Sequence, residues 1–411
     1  MASSNQSDNQ IWQRNLRVLS IAVFFAGIAF SEVMPFLSLF LAQLGHFTHR
    51  QLTNWSGLVF SASYVVATIV TPWWGKLADA KGRKPMILRA SLGMGIAIGA
   101  ISFVHNVWQL LIFRMMQGAF AGFVSNSNAL IATEVPKTHS GSALGTMMAC
   151  FTGGNLLGPF LGGTLATFFG YRVTFFLTGI ILLLICLACW RFVDESNFHP
   201  VATKDVGSSK DVLRSLPSVR LIIGLVLTTL IIQSANNSIN PIISLFVKQL
   251  LHGSSHTTFV SGIIAALPGI ATVLIASRVG TIGDRIGTER ILIFGFILNT
   301  IVFIPTAFVT NCWQLGICRF IVGLGDACLF PQVQTLLTKN SPVQATGRVF
   351  SWNQSAMYIG NIVGSLMGGW VAGQFGFSAV FLWTAGLVFL NLVLFLINVV
   401  WPLQHVDATK S

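Results

Sequence analysis

"NVWQLLIFR", residues 106–114, returns 205 residues later as "NCWQLGICR", residues 311–319. Each copy closes on an arginine set in an apolar run. Working outward, Gly75, Asp79 and Gly82 return at the same offset as Gly280, Asp284 and Gly287. "PFLSLF" at 35–40 comes back as "PIISLF" at 241–246, and "GNLLG" at 154–158 as "GNIVG" at 360–364, both 206 residues on. Chance does not place four matches in order at nearly one spacing. The chain is two copies of one unit.

Composition says where such a unit can live. Of 411 residues 53% are hydrophobic, and the mean hydropathy is +0.73. One soluble core cannot hide that much apolar surface, so lipid must cover much of it. A bilayer core of ~30 Å takes about 20 helical residues to cross. That rule predicts twelve spans, near 17–42, 54–74, 86–104, 108–131, 142–168, 173–192, 221–247, 258–279, 291–309, 313–337, 348–373 and 378–401. The expected fold is an all-α membrane protein of twelve transmembrane helices in two pseudo-symmetric six-helix bundles, residues 1–192 and 221–411. The polar segment 193–220, broken by Pro200, Gly207 and Pro217, is the linker.

Lysine and arginine orient the bundles. With the N-terminus inside, 19 of the 24 bases fall on the cytoplasmic side; Arg50, Arg172 and Lys248 fall outside, and Arg114 and Arg319 stay in the membrane. Both termini are therefore expected in the cytoplasm. The net charge of +12 reads as topology, not as a nucleic-acid surface. The start "MASSNQSDNQ" leads into a run too long for a cleavable signal, so the first span stays as a helix. The six cysteines lie in or beside apolar runs and read as packing residues, the Cys186–Cys189 pair included.

Four features carry chemistry. "GKLADAKGRKP", 75–85, gathers Lys76, Asp79, Lys81, Arg83 and Lys84 in a chain with only 9% charge. Bases alone would make it a solvated anchor. Asp79 asks for more, because acids contribute little to orientation and a carboxylate is suited to a helix N-terminus or a neighbouring arginine. Gly75 and Gly82 allow a tight turn with backbone close to a facing helix. In "LIFRMMQG", 111–118, Arg114 lies about two turns below the surface, where an unpaired charge costs several kcal/mol; snorkelling to the headgroups is the plainer reading. In "GNLLGPFLGG", 154–163, Gly154, Gly158 and Gly162 recur every four residues, a flat stripe for another helix. Pro159 frees the Asn155 carbonyl and bends the helix, whereas the second copy has Ser365 there. Gly163 completes the motif.

The fourth feature is acid inside the membrane. Glu32 and Asp326 fall near mid-membrane and Glu134 at the inner end of helix 4. In hydrocarbon a carboxyl group favours its neutral form, and a cation brought beside it favours the ionised one. One residue can thus exchange proton for cargo. Glu32 lies at about the depth of Arg114, so a fixed ion pair is the structural alternative. Asp326 stands seven residues after Arg319, two turns away, without direct contact. Glu134 reads as a solvated or capping residue.

These motifs together resemble the major facilitator superfamily, specifically its twelve-helix drug:proton antiporter branch, over essentially the whole chain. The resemblance implies its fold, with the substrate site at the interface of the repeats. It implies that Gly75, Asp79, Gly82 and Arg83, with Asp284 in the second copy, form a cytoplasmic latch. It links Arg114 to proton movement and marks Gly154, Gly158, Pro159, Gly162 and Gly163 as the antiporter motif. Glu32 is outside the shared motifs, and Ser38 stands where a second helix 1 proline is usual, so helix 1 bends in its own way.

A cavity wall is expected from Phe30, Met34, Asn126, Gln233, Asn236, Gln332, Trp352 and Tyr358, whose plainer role is helix packing. The expected function is proton-driven efflux of lipophilic cationic or zwitterionic antimicrobials across a bacterial inner membrane, by alternating access. Its partners are small drug-like molecules, protons and the bilayer, and the chain acts as a monomer without cofactor or metal. A proton-coupled symporter or importer of a small metabolite on the same fold is the alternative. No enzyme motif appears, and Gly75-Lys76 is followed by Leu77, which excludes a P-loop.

Overall fold

The computed structural model describes residues 2–136, 139–195, 216 and 218–401, and every regular element among them is helical. The chain runs α1 (Ala2–Ser31), α2 (Leu37–Leu41), α3 (His49–Lys81), α4 (Arg83–Ile101), α5 (Val107–Ala119), α6 (Phe123–Glu134) and α7 (Ser140–Phe192). It continues as α8 (Val219–Ile239), α9 (Ile243–Leu250), α10 (Thr257–Ile286), α11 (Thr288–Thr306), α12 (Cys312–Lys339), α13 (Val343–Phe375) and α14 (Phe377–Phe395), which ends in a π-turn. Ten of the resulting rods are long and apolar enough to cross a membrane. One of them, α7, doubles back at Gly170 and crosses twice, and the less apolar 33-residue α13 completes twelve.

The repeated stretch that opens the sequence turns out to be three devices in a row. Asn106 Oδ1 accepts from the Gln109 amide at 2.9 Å while Gln109 Oε1 accepts from the His105 amide at 2.8 Å. Asn311, Gln314 and Thr310 repeat this at 2.9 Å and 2.9 Å. Each pair is a reciprocal cap that satisfies one orphan amide of the helix start and the amide just before the cap. Trp108 and Trp313 come next, 62% and 85% exposed, as aromatic rings anchored at the membrane–water boundary should be. Arg114 and Arg319 close the stretch, both buried.

The turns repeat as well. Gly82 and Gly287 have φ of 98° and 107°, and Gly170 and Gly376 have 81° and 84°. Side-chain-bearing residues rarely take that conformation, so one residue suffices to reverse the chain between long helices.

Three of the expected spans are broken. The first unwinds from Glu32 to Phe36 and the seventh from Asn240 to Ile242, each at a proline, Pro35 or its repeat Pro241. The fourth breaks at Phe120–Gly122, where Gly122 is left-handed. The carbonyls freed there are taken by side chains. Arg89 donates to Ala121 O at 2.7 Å and Trp74 Nε1 to Ala119 O at 2.8 Å, with the Arg89 guanidinium 3.7 Å above the Trp74 ring. An interrupted helix survives in a membrane only when its backbone groups are satisfied in this way. Arg89, one of the 19 bases assigned to the cytoplasmic side from sequence, is therefore a half-buried part of the fold.

Contacts divide the described chain into two compact units. One holds Met1–Gly45 and Val65–Asp205, the other His46–Tyr64 and Val206–Ser411. The start of α3 thus packs within the second unit, where the Thr53 carbonyl covers Gly369 and the His49 ring meets Phe377 at 5.0 Å. Only the two ends of the expected linker, 193–220, are described. Val193 to Glu195 are anchored in the first unit, and Ser218 caps α8 through the Leu221 amide at 3.3 Å. Residues 196–215 and 217 lie outside the described residues.

Candidate functional site

In the first unit the glycine stripe meets the broken helix. A methyl group on Gly154 would collide with the Phe24 carbonyl, one on Gly158 with Ser31 and the Ile28 carbonyl, and one on Gly162 with the Glu32 backbone. Glycine at every fourth position therefore lets α1 lie directly on α7, backbone against backbone. The contact ends at the break, and the residue delivered there is Glu32. It is 1% exposed, and its Oε1 has no hydrogen-bond partner among the described residues. Phe30 and Met34 flank it half-buried.

The ion pair with Arg114 expected as an alternative is not formed. Ion pairs within 4 Å among the described residues join Arg14 to Asp194 and Arg83 to Asp79. Arg114 Nη1 donates instead to Gln117 at 2.6 Å. Asn126 is committed locally as well, its Nδ2 bound to the Gly122 carbonyl at 2.7 Å in support of the α5–α6 break.

In the second unit the twin stripe, Gly360, Gly364 and Gly368, lies on the α8 backbone at Leu230, Ser234 and Ser238. The architecture repeats but the chemistry does not. The position of Glu32 is taken by Ser238, which shares a hydrogen bond of 2.8 Å with Thr384. Asp326 stands where the first unit has Ala121. It accepts from Asn299 Nδ2 at 3.0 Å and forms no ion pair with Arg319 within 4 Å. Nearby on α8, Asn237 Nδ2 donates to Asn361 at 2.6 Å and Asn240 Nδ2 to Asn237 at 2.9 Å, with Gln233 on the same cluster. Gln332 does not join it. Buried against Gly283, it packs α12 on α10. Trp352 and Tyr358 are half-buried along α13.

The charged motif also differs from expectation. Gly75 lies within α3 with no atom within 4 Å of where a Cβ would stand, so Gly82 alone makes the turn. Across that turn Arg83 Nη2 pairs with Asp79 Oδ1 at 2.6 Å. The partner missed in the sequence is Glu195. Its two carboxylate oxygens accept from the Arg83 and Lys84 amides, both at 2.6 Å, and cap the N-terminus of α4. Asn15, fully buried, donates to Glu134 Oε2 at 2.7 Å and brackets the backbone of Asp194 at 2.6 and 3.0 Å. Glu134 is thus part of a built network rather than a solvated end. An acid just after the sixth span is the signal that was there to find Glu195. Asp284's side chain lies outside the described residues. No group of three metal-ligating side chains occurs among the described residues.

The family profile described as Major Facilitator Superfamily matches residues 19–235 and 225–409, one match per half. The chain is 47% identical over 380 residues to "Multidrug resistance protein MdtG" of Dickeya zeae (strain Ech586), covering 92% of this chain and 93% of that protein. It is 47% identical over 382 residues to the protein of the same name from Salmonella arizonae, covering 93% and 94%. Among solved structures, the nucleoside transporter NupG superposes with a TM-score of 0.73 at 15% identity, over 93% of this chain and 99% of that one. That likeness concerns the fold alone.

Proposed function

This chain belongs to the major facilitator superfamily, and from that premise we propose proton-coupled efflux of lipophilic cationic or zwitterionic antimicrobials by alternating access. Family membership makes the chain a transporter of small molecules and a multi-pass protein of a bacterial inner membrane, not an enzyme. The name of its 47% identical relatives supports export of drugs. In this reading the chain works as a monomer, and Glu32 and Asp326 alternate between proton and cargo, with Arg319 biasing Asp326.

One observation carries the coupling. Glu32 is held at a helix break on a glycine stripe, 1% exposed and without a hydrogen bond at Oε1. A carboxylate buried without a partner is costly, so a proton or a cation must attend it. That is the requirement for exchange. One proton against one monovalent cation moves no net charge; a second proton adds ~2.3 kcal/mol per 100 mV of potential.

The amide cluster of Gln233, Asn237, Asn240 and Asn361 favours a second reading. Fixed donors and acceptors suit a small polar metabolite taken up with protons. Liposomes holding the purified protein separate the two. Exchange predicts that a lipophilic cation added outside dissipates an inside-acid gradient, with Glu32→Gln and Asp326→Asn both slowed severely. Gradient collapse by a polar metabolite under outside-acid conditions points to the importer. If both variants exchange drug for protons at the wild-type rate, the coupling assignment is lost.

A further inference from the structure

A groove of about 340 Å³ runs along the outer face of the first unit between residues 18–25 of α1 and the last turns of α7, away from the residues assigned to transport. Its walls include Val18, Ile21 and Phe25 on one side and Leu184, Ala188 and Phe192 on the other. Ile21 is 60% exposed and Leu184 59%, so this face is turned to lipid and not to the interior of the unit. Lining residues on α7 run from Ile181 to Phe192, roughly 16 Å of helix at 1.5 Å per residue. That is about half of the ~30 Å hydrocarbon core. The groove is one leaflet deep.

Its basic end says which lipid. Arg14 and Arg17 precede Val18 and Ile21 by four residues on the same face of α1, and Arg191 follows Leu184 and Ala188 by seven and three on α7. All three are exposed. Asp194 engages Arg14 at 3.6 Å, while the Arg191 guanidinium lies 5.5 Å from the Phe192 ring at the mouth of the groove. Glu195, the next acid, is turned away onto the start of α4. Among the described residues no acid pairs with Arg17 or Arg191. Both are left as positive charge at the headgroup end of an apolar slot one leaflet long.

We propose that this groove is a binding site for one anionic phospholipid, its acyl chain between α1 and α7 and its phosphate on Arg17 and Arg191. The site is independent of the transport reading and stands whether the chain exports drugs or imports metabolites.

Native mass spectrometry of the full-length protein, with phosphatidylglycerol or phosphatidylcholine of identical acyl chains, tests it. A base near the headgroup region is worth about fivefold in affinity for an anionic lipid, so two give on the order of twenty-fivefold. Wild type should retain one phosphatidylglycerol with that preference, and Arg17→Gln/Arg191→Gln should bring the two lipids close to parity. Ala188→Phe, which fills the slot, should release phosphatidylglycerol while leaving the arginines in place. Equal retention of both lipids by the wild type would mean that the arginines serve orientation only, and the proposal falls. It also falls if the double arginine variant keeps its preference, if Ala188→Phe binds as wild type, or if the free glycerophosphoglycerol headgroup displaces the lipid. A dimer that forms through this face in place of lipid binding would overturn it as well.

Discussion

Substituting alanine for Gly162 tests the packing on which the candidate site depends. The new Cβ would stand on the backbone of Glu32, with Cα and C within 2.8 and 2.7 Å and the carbonyl closer still. Backbone cannot rotate aside as a side-chain tip can, so α1 must lift away. Overpacking of this kind costs about 1–3 kcal/mol, and a backbone clash belongs at the upper end. Alanine in place of glycine returns up to ~1 kcal/mol of helix propensity. The net loss is about 2 kcal/mol. Gly145 supplies the control on the same helix, because nothing lies within 4 Å of its Cβ position. Gly145→Ala should be neutral or stabilising by up to ~1 kcal/mol. For a unit of about 150–250 residues, ~1 kcal/mol moves the melting temperature by roughly 2–4 °C. Thermal unfolding in detergent should therefore show Gly162→Ala about 4–8 °C below the wild type and Gly145→Ala at or above it. Transport by Gly162→Ala should fall too, since the displaced residue is Glu32. If Gly162→Ala melts with the wild type, α1 is not seated on the stripe and the placement of Glu32 is wrong.

Three further outcomes follow from the same geometry. Glu195→Gln leaves one acceptor for two amides and should cost about 1 kcal/mol at the start of α4; hydrogen exchange at Arg83 and Lys84 should speed up roughly fivefold, and unchanged exchange would refute the cap. Arg89→Lys keeps the charge but loses the fork that reaches the Ala121 carbonyl and stacks on Trp74, so the α5–α6 break should lose about 1–3 kcal/mol in thermal unfolding; a lysine variant as stable as wild type would show that the freed carbonyls need no side chain. Asn106→Ala and Asn311→Ala should each cost about 1 kcal/mol, and the double variant should show their sum, because the two caps share no partner; strong non-additivity in the same melts would contradict independent caps.

Much of the molecule was legible in one dimension. The twelve spans and the doubling of the unit were read directly from the sequence, and the caps at Asn106 and Asn311 and the breaks at Pro35 and Pro241, which the structure added, also depend on residues within a few turns of one another. Transfer of a segment into hydrocarbon, satisfaction of a helix end and removal of one amide donor are local energies, and local sequence reports them. The stripe in "GNLLGPFLGG" was legible as a surface prepared for another helix.

Which helix would come to lie on it was not. That α1 brings Glu32 to Gly162, that Arg89 and Trp74 serve the break at Gly122, and that Glu195 caps α4 from 111 and 112 residues away were settled by tertiary packing. The reason is physical. A polar atom in a membrane is satisfied by whatever element stands next to it, and adjacency is a property of the packed bundle. The sequence alone therefore determined where the chain enters lipid and which residues are anomalous there, while the assembled helices decided which anomalies are paired and which, like Glu32, are left open.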